Sequence, residues 1–195
     1  LVLLQRRRAS VVKYRQALRK SLAGLAGLEA PLRQTLAEID ELLAAIDRQL
    51  RAGLMALPTA HAGARRIETV PGIGEQTATQ LAVLFDRVPL GHGDAAVAFV
   101  GLDPRPCDSG QKRGHRRLSK RGSGELRRLL YNCAQSASRT AVWQPYYARW
   151  RARGLSTTAA LVILARKLLR IAFALWKQPN AVFDPTQVAC PGERA

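Results

Sequence analysis

The stretch FVGLDPRPCDSGQKRGHRRLSKRGSGELRRLLY, residues 99–131, organises the rest of the chain. Nine Lys or Arg and only two acids lie between residues 105 and 128. Gly110, Gly114, Gly122 and Gly124 interrupt its first part, so it cannot be one regular helix or strand. The pattern therefore predicts a basic, glycine-rich loop that runs into a helix over residues 123–140.

A loop of this kind presents backbone N–H groups and cations to an anion. The chain has 195 residues, a formal net charge of +17 and a pI near 11.2, which is typical of proteins that bind nucleic-acid phosphates. Its hydrophobic fraction of 47% argues against wholesale disorder. The predicted nucleic-acid contacts are Lys112, Arg113, Arg116, Arg117, Lys120, Arg121, Arg127 and Arg128. DNA is the expected partner, and ribosomal or other RNA is a weaker alternative.

Membrane and metal-binding classes fit the sequence poorly. No apolar run approaches the roughly 20 residues that span a bilayer, and the start LVLLQRRR lacks the order of a signal peptide. The cysteines and histidines are widely spaced and form no CxxC or other metal-ligand pattern: Cys107, Cys133, Cys190, His61, His92 and His115. We therefore expect no metal site and no disulfide framework in this chain, and a reducing cytoplasm as its location.

Residues 1–57 predict a helical hairpin or coiled-coil arm. Residues 1–23 have the spacing of a basic amphipathic helix, and glycines and Pro31 then mark a turn. Apolar residues next follow a heptad pattern at Leu32, Leu36, Ile39, Leu43, Ile46 and Leu50. The acids Asp40, Glu41 and Asp47 are interpreted as solvated charges of this helix. The arm favours a homo-oligomer, and a helix pair packed on the chain's own core is the alternative.

A linker is predicted over residues 58–66, followed by a compact helical domain over residues 67–185 and a flexible tail over 186–195. The segment VPGIG, residues 70–74, resembles the hairpin of a helix-hairpin-helix element. Gly72 and Gly74 would let that turn lie close to a phosphate, and the next helix would offer its N–H groups. Such contacts would position DNA without reading its sequence. The alternative is a tight turn retained only for packing.

Further helices are predicted over residues 95–100, with Asp94 as N-cap, over 143–153 and over 157–177. Trp143, Trp150 and Trp176 are not interleaved with basic residues and are interpreted as core packing. No strand pair is predicted, so the fold class is mostly α.

Ser109 lies in the middle of the basic loop, between Asp108 and Gly110. A hydroxyl at such a place most often caps a turn. As a nucleophile it would need activation and neutralisation of a phosphoryl group. The surrounding cations fit the second requirement, but no obvious general base lies nearby in sequence.

The order of these motifs resembles the C-terminal "transposase 20" domain of the insertion-sequence 110 family of bacterial transposases. The resemblance extends from about residue 67 to residue 185, and the preceding arm resembles the family's coiled-coil segment. Each motif is weak alone, and their order and spacing are specific. They are VPGIG (70–74), AFVGL (98–102), SG (109–110), SKRG (119–122), LRR (126–128), Tyr147, Gly154 and ARKL (165–168). Ser123 departs from the family pattern, which has Asn there.

The resemblance implies DNA strand exchange during transposition, guided by an RNA made by the element. It implies that Ser109 is the nucleophile that becomes linked to DNA. It also implies a divalent metal, Mg²⁺, held by a RuvC-like N-terminal half for which this chain has no room. We therefore expect the chain alone to bind nucleic acid without cutting or joining it. The alternative is a non-catalytic helix-hairpin-helix protein that binds DNA or RNA.

Overall fold

The computed structural model describes residues 1–105 and 117–188. The chain divides into two compact units, Leu1–Pro58 and Thr59–Ala195. Both are built mainly from α-helices, as predicted from the sequence. No helix within the described ranges is long and apolar enough to cross a bilayer.

The first unit is a pair of helices in contact with each other, α1 (Val2–Ser21) and α2 (Glu29–Met55), joined by residues 22–28. The apolar pattern explains the pairing, because Ala9 on α1 and Leu50 and Leu54 on α2 are buried. Gly53 lies against the side chain of Leu1, which places the end of α2 beside the start of the chain. The two helices are thus antiparallel, and association of this arm with a second copy stays a prediction.

Two ion pairs join the helices of this hairpin. Arg8 Nε lies 2.5 Å from Asp47 Oδ1, and Arg15 Nη2 lies 2.6 Å from Asp40 Oδ2. Asp40 and Asp47 lie on the surface of α2, 52% and 31% exposed, as expected of solvated charges, and each also pairs with an arginine of α1. The sequence placed both acids correctly on a helix, but it did not show that α1 would bring arginines opposite them.

The second unit surrounds one long helix, α8, which packs against α4, α5, α6 and α7. Its apolar residues, Leu161, Leu164, Leu168 and Leu169 among them, are buried and form the centre of the core. The elements of this unit are α3 (Pro58–Glu68), α4 (Glu75–Arg87), α5 (Gly93–Val100), β1 (Pro104–Arg105), β2 (Arg117–Leu118), α6 (Gly124–Ala137), α7 (Gln144–Ala152), α8 (Thr157–Lys177) and a 3-10 turn (Pro185–Gln187).

The linker predicted over residues 58–66 is instead part of α3. Ala60, Gly63, Ala64 and Ile67 are buried at the spacing of one helix face. A Cβ at Gly63 would collide with the ring of Trp176, so glycine leaves room for this ring against α3. Small residues suggested a linker in the sequence, and here they form a packing surface.

Two further expectations need correction. Residues 104–105 and 117–118 form a short antiparallel ribbon, where no strand pair was predicted. The N-cap of α5 is His92, whose Nδ1 accepts from the N–H of Ala95, whereas Asp94 pairs with Arg170. The predicted tail falls largely outside the described residues, since only residues 186–188 of it are described.

Candidate nucleic-acid interface

The two strands of the ribbon, residues 104–105 and 117–118, flank residues 106–116 in the sequence and pair with each other. Pro104 pairs with Leu118 and Arg105 with Arg117, and the N–H of Ser119 continues the pairing by donating to the Asp103 carbonyl at 3.0 Å. We call residues 100–105 and 117–122 the ribbon base. Four predicted site residues, Ser109, Lys112, Arg113 and Arg116, lie outside the described residues, as does the side chain of Arg117.

Two glycines let the two segments of the ribbon base touch. A Cβ on Gly101 would lie 2.8 Å from the backbone nitrogen of Arg121, and a Cβ on Gly122 would lie 2.6 Å from the carbonyl carbon of Val100. Gly101 also has a φ of 78°, a conformation that other residues rarely adopt. The N–H of Lys120 donates to the Gly101 carbonyl at 3.1 Å. Backbone packing therefore fixes this part of the molecule.

Lys120 is held in a strained conformation at the same place. Its φ is 53°, and among the described residues Lys120 alone has a positive φ without being a glycine. Such a conformation costs on the order of 1–2 kcal/mol for a residue with a Cβ. The Lys120 and Arg121 side chains are both exposed. Of the predicted contacts, these two present their charge to solvent from a backbone fixed by its neighbours.

Side chains complete the ribbon base. The hydroxyl of Ser119 donates to Asp103 Oδ1, and Arg105 Nε lies 3.8 Å from Asp103 Oδ2. Arg127, predicted as a nucleic-acid contact, directs Nη1 at the carbonyls of Val100 and Gly122, at 3.0 and 2.7 Å. Arg127 thus ties the start of α6 to the ribbon base.

Arg128, the remaining predicted contact on α6, forms a two-pronged ion pair with Glu125. Its Nη2 and Nε lie 2.6 and 3.0 Å from the two carboxylate oxygens. The hydrogen bond to Glu125 raises the pKa of the Arg128 guanidinium. A side chain engaged in this way offers less to a ligand than Lys120 or Arg121. Ser123 caps α6 by accepting from the N–H of Leu126 at 3.3 Å.

The VPGIG segment forms a tight turn between α3 and α4. The N–H of Ile73 donates to the Val70 carbonyl at 3.0 Å, and both side chains are buried. Trp143, fully buried, donates its indole N–H to the Pro71 carbonyl at 3.0 Å. This turn is fixed to the core, and its assignment as a helix-hairpin-helix element that binds DNA stays a prediction.

Its two glycines have different environments. Gly72 has a φ of 95°, and a Cβ there would lie 2.5–2.9 Å from Ala137 of α6, so internal packing alone requires glycine. Gly74 is the N-cap of α4, and a Cβ there would meet nothing within 4 Å. Of the two predicted contacts, Gly74 is therefore the one open to a phosphate.

Gly74 borders a shallow groove of about 370 Å³ that α6 also lines. Cys133 lies within it and donates its thiol to Thr77 Oγ1 at 3.3 Å. Burial raises the pKa of this thiol, so it stays protonated and is a poor nucleophile. The groove is lined by Gly72, Gly74, Glu75, Gln76, Thr77, Leu129, Asn132 and Cys133.

The described residues contain no group of three or more His, Cys, Asp or Glu able to hold a metal ion. The resemblance implies a divalent metal held by a RuvC-like half, and not by these residues. Sequence reasoning missed Asp103 and Ser119 as partners across the ribbon base, because the ribbon itself was not predicted.

Comparison with known proteins supports the resemblance. Residues 64–148 match the transposase family IS116/IS110/IS902. The chain is 30% identical over 161 residues to a 44.8 kDa protein of insertion element IS116 from Streptomyces clavuligerus, covering 81% of this chain and 39% of that protein. It is 35% identical over 143 residues to the transposase of insertion sequence IS1328 from Yersinia enterocolitica, covering 68% and 40%.

A relative with a different name also matches. The pilin gene-inverting protein of Moraxella lacunata is 30% identical over 144 residues, covering 71% of this chain and 44% of that protein. The chain spans less than half the length of each of these three relatives.

Proposed function

Since residues 64–148 are a domain of the IS116/IS110/IS902 transposase family, we propose that this chain is the DNA-binding C-terminal part of an insertion-sequence transposase or recombinase. In this proposal it grips DNA at the ribbon base and contributes Ser109 to strand exchange. The observation that carries the proposal is the pair Lys120 and Arg121, which are exposed on a backbone fixed by Gly101 and Gly122.

A second proposed contact with DNA lies at the opposite end of α6. Ser123 begins this helix at the ribbon base, and Ala137 ends it against Gly72. At 1.5 Å per residue, α6 separates the two points by about 20 Å, or roughly six base pairs of B-DNA. Gly74 at the N-terminus of α4 and Lys120 at the ribbon base would bind phosphates of the same duplex.

The proposed role of Ser109 is transesterification. Its Oγ forms a bond to phosphorus while the bond between phosphorus and the departing deoxyribose oxygen breaks. The serine proton passes to a base, and the departing oxygen takes up a proton. The cations of the loop would neutralise the phosphoryl oxygens. No step is assigned to a metal here, since the described residues do not fit one.

The remaining components belong to the same proposal. A RuvC-like half with its own divalent metal, Mg²⁺, and the guide RNA of the element would complete the machinery. A dimer or higher assembly would hold two DNA ends together, with the arm of α1 and α2 as the contact between copies. The protein would act at the nucleoid, where its DNA substrate lies.

The test joins this chain to the metal-binding half of a relative, with the matching RNA and labelled donor DNA. Products are separated on a denaturing gel for the natural chain, for Ser109→Ala and for Ser119→Ala. Ser119 is the matched control, because its hydroxyl is already engaged by Asp103. We expect a protein–DNA adduct that Ser109→Ala abolishes and Ser119→Ala retains.

The same experiment separates the alternative function. If all three proteins bind DNA equally and none forms an adduct, Ser109 is not a nucleophile. The chain is then a DNA-binding module that uses the ribbon base and the turn at Gly74. An adduct that survives in Ser109→Ala would instead place the nucleophile at another residue.

A further inference from the structure

The arginines of α1 that face α2 are used within the hairpin. The helix α1 carries seven Lys or Arg and no acid. Two of these cations, Arg8 and Arg15, form ion pairs with Asp47 and Asp40 at 2.5 and 2.6 Å. They lie seven residues apart in the sequence and therefore on one side of the helix. The acids of α2 thus neutralise this one side of α1.

A second set of cations repeats along another side of α1. Arg6, Lys13 and Lys20 lie seven residues apart, so successive members are about 10.5 Å apart along the helix and about 20° apart around it. Each paired arginine follows a member of this set by two residues, or about 200° around the helix, which places the two sets on opposite sides. We call Arg6, Lys13 and Lys20 the α1 stripe.

The charge of the α1 stripe is not balanced within the protein. All three side chains are exposed, and none of them forms an ion pair with a described residue. A solvated helix face usually carries both signs, because opposite charges three or four residues apart stabilise a helix. At those spacings from each member of the stripe, the sequence has only uncharged residues. The stripe is therefore a row of one sign, about 21 Å long.

We propose that the α1 stripe binds the phosphate backbone of duplex DNA. The inference rests on the DNA-binding function proposed above and adds the arm to its contacts. B-DNA carries one negative charge per about 1.7 Å of its axis, so a row of about 21 Å faces roughly 12 phosphates. Ser10 and Ala17, which separate the members of the stripe, are small and leave the row open to a backbone that lies along it.

Duplex DNA fits the stripe better than an anionic membrane surface does. A basic helix that lies on a membrane needs a wide apolar face turned towards the lipid. Within α1, the exposed large apolar side chains are Leu3 and Tyr14, eleven residues apart. Two such side chains do not form a face of that kind, whereas a row of exposed cations is sufficient to contact phosphates.

The first experiment uses the natural chain, so no substitution can disturb its fold. Lysines are acetylated with limiting reagent, with and without a duplex of about 30 base pairs, and mass spectrometry measures the modification of each lysine. We expect DNA to slow the acetylation of Lys13 and Lys20 about fivefold, because ammonium groups on phosphates are shielded from the reagent. Lys177, exposed at the end of α8, is the internal reference and should change less than about 1.5-fold.

The second experiment measures the affinity for the same duplex across a series of salt concentrations. The stripe variant carries Arg6→Gln, Lys13→Gln and Lys20→Gln. We expect it to lower affinity about 30-fold and to reduce the salt slope by about 2–3, since each lost phosphate contact removes about 0.9. A charge-conserving variant, with Arg6→Lys, Lys13→Arg and Lys20→Arg, should bind DNA like the natural chain.

The matched control removes the same net charge from the arm at exposed arginines outside the stripe. It carries Arg19→Gln, Arg33→Gln and Arg48→Gln. We expect this control to lower affinity less than about threefold, because these side chains act on DNA only through the general charge of the arm. Equal losses of affinity and slope in the stripe variant and the control would overturn the inference, since net charge alone would then explain both.

The acetylation pattern separates this inference from the proposed function. If DNA protects Lys120 but neither Lys13 nor Lys20, the arm contact fails and the proposed function stands. If DNA protects Lys13 and Lys20 but not Lys120, the grip at the ribbon base fails and the arm contact stands. Protection of the two stripe lysines by phosphatidylglycerol vesicles, with none by DNA, would overturn the inference and assign the stripe to a membrane surface.

Discussion

The hairpin of α1 and α2 and the ribbon base each hold two chain segments together, but they do so by different means. In the hairpin, side-chain ion pairs such as Arg8–Asp47 and Arg15–Asp40 join the two helices. At the ribbon base, the two segments are held largely by backbone hydrogen bonds and by backbone packing at Gly101 and Gly122.

This difference decides what the basic side chains are available for. In the hairpin, arginines that face an acid are engaged within the protein. At the ribbon base, backbone packing leaves Lys120 and Arg121 exposed to a ligand. Arg127 is the exception, since it donates to two carbonyls there. A count of positive charges along the sequence does not separate these roles.

The largest expected effect comes from the backbone contact itself. Gly122→Ala would press a methyl group against the Phe99 carbonyl oxygen, and we expect it to lower the free energy of unfolding by about 2–4 kcal/mol. Chemical denaturation measures the change. Gly74→Ala is the control, because open space there limits its cost to about 1 kcal/mol or less. Equal losses would show that close packing does not hold the ribbon base.

Replacement of Arg127 should cause the next largest loss in the free energy of unfolding. Arg127→Met deletes both hydrogen bonds to the carbonyls of Val100 and Gly122 and should destabilise the chain by about 2 kcal/mol. Arg121→Met, an exposed neighbour, should change stability by less than about 0.5 kcal/mol while weakening DNA binding. Denaturation and DNA titration of both variants would have to show this opposite pattern, and a stable Arg127→Met would contradict it.

The hairpin should respond more weakly to loss of a side chain. In a double-mutant cycle of Arg8→Ala and Asp47→Ala, we expect a coupling of about 0.5–1 kcal/mol, because Arg8 is only 15% exposed while Asp47 is 31% exposed. The coupling should fall in high salt. A coupling as large as the Gly122→Ala loss would erase the contrast between the two regions.

Lys120 offers a test in which stability and binding move in opposite directions. Lys120→Gly relieves the positive φ and should raise the free energy of unfolding by about 0.5–1 kcal/mol, while DNA affinity falls. Lys120→Ala retains the strain, so it should lose affinity without the gain in stability. If Lys120→Gly also destabilised the protein, the conformation would not be strained.

The smallest effect is a pH dependence in the hairpin. The hydrogen bond from Arg15 holds the pKa of Asp40 below its usual value near 3.8. Because the unfolded chain binds this proton more readily, the contribution of Asp40 is present above about pH 4 and is lost as pH falls through the lower, folded-state pKa. Thermal melts of the natural chain and of Asp40→Asn at pH 5 and pH 3 should differ less at pH 3. A constant difference would exclude this linkage.

Long apolar patterns predicted the helices well. The bounds of α8, residues 157–177, follow from an unbroken apolar periodicity flanked by Ser156 and Gln178. By contrast, α3 was missed because Ala and Gly carry little periodicity of their own. The small residues of α3 are explained by the packing of Gly63 against Trp176, and Trp176 lies more than a hundred positions later in the sequence.

The candidate site shows the same limit. The sequence placed the predicted contacts in the basic segment and at Gly72 and Gly74. It could not separate the two glycines, since their difference depends on Ala137 of another helix. Nor could the sequence distinguish Arg127, which donates to backbone carbonyls, from the exposed Arg121, because every residue has a carbonyl and the sequence does not show which ones an arginine will reach.

The hairpin also constrains how its length can change during evolution. Its two ion pairs are seven residues apart on each helix, and the residue numbers of each pair add to 55. One inserted residue in α1 would shift every later side chain off its partner and rotate it by about 100° around the helix. Insertions of seven, matched in both helices, would preserve the seam. The arm can thus be lengthened or shortened in steps of about 10 Å, which makes it a ruler with fixed graduations.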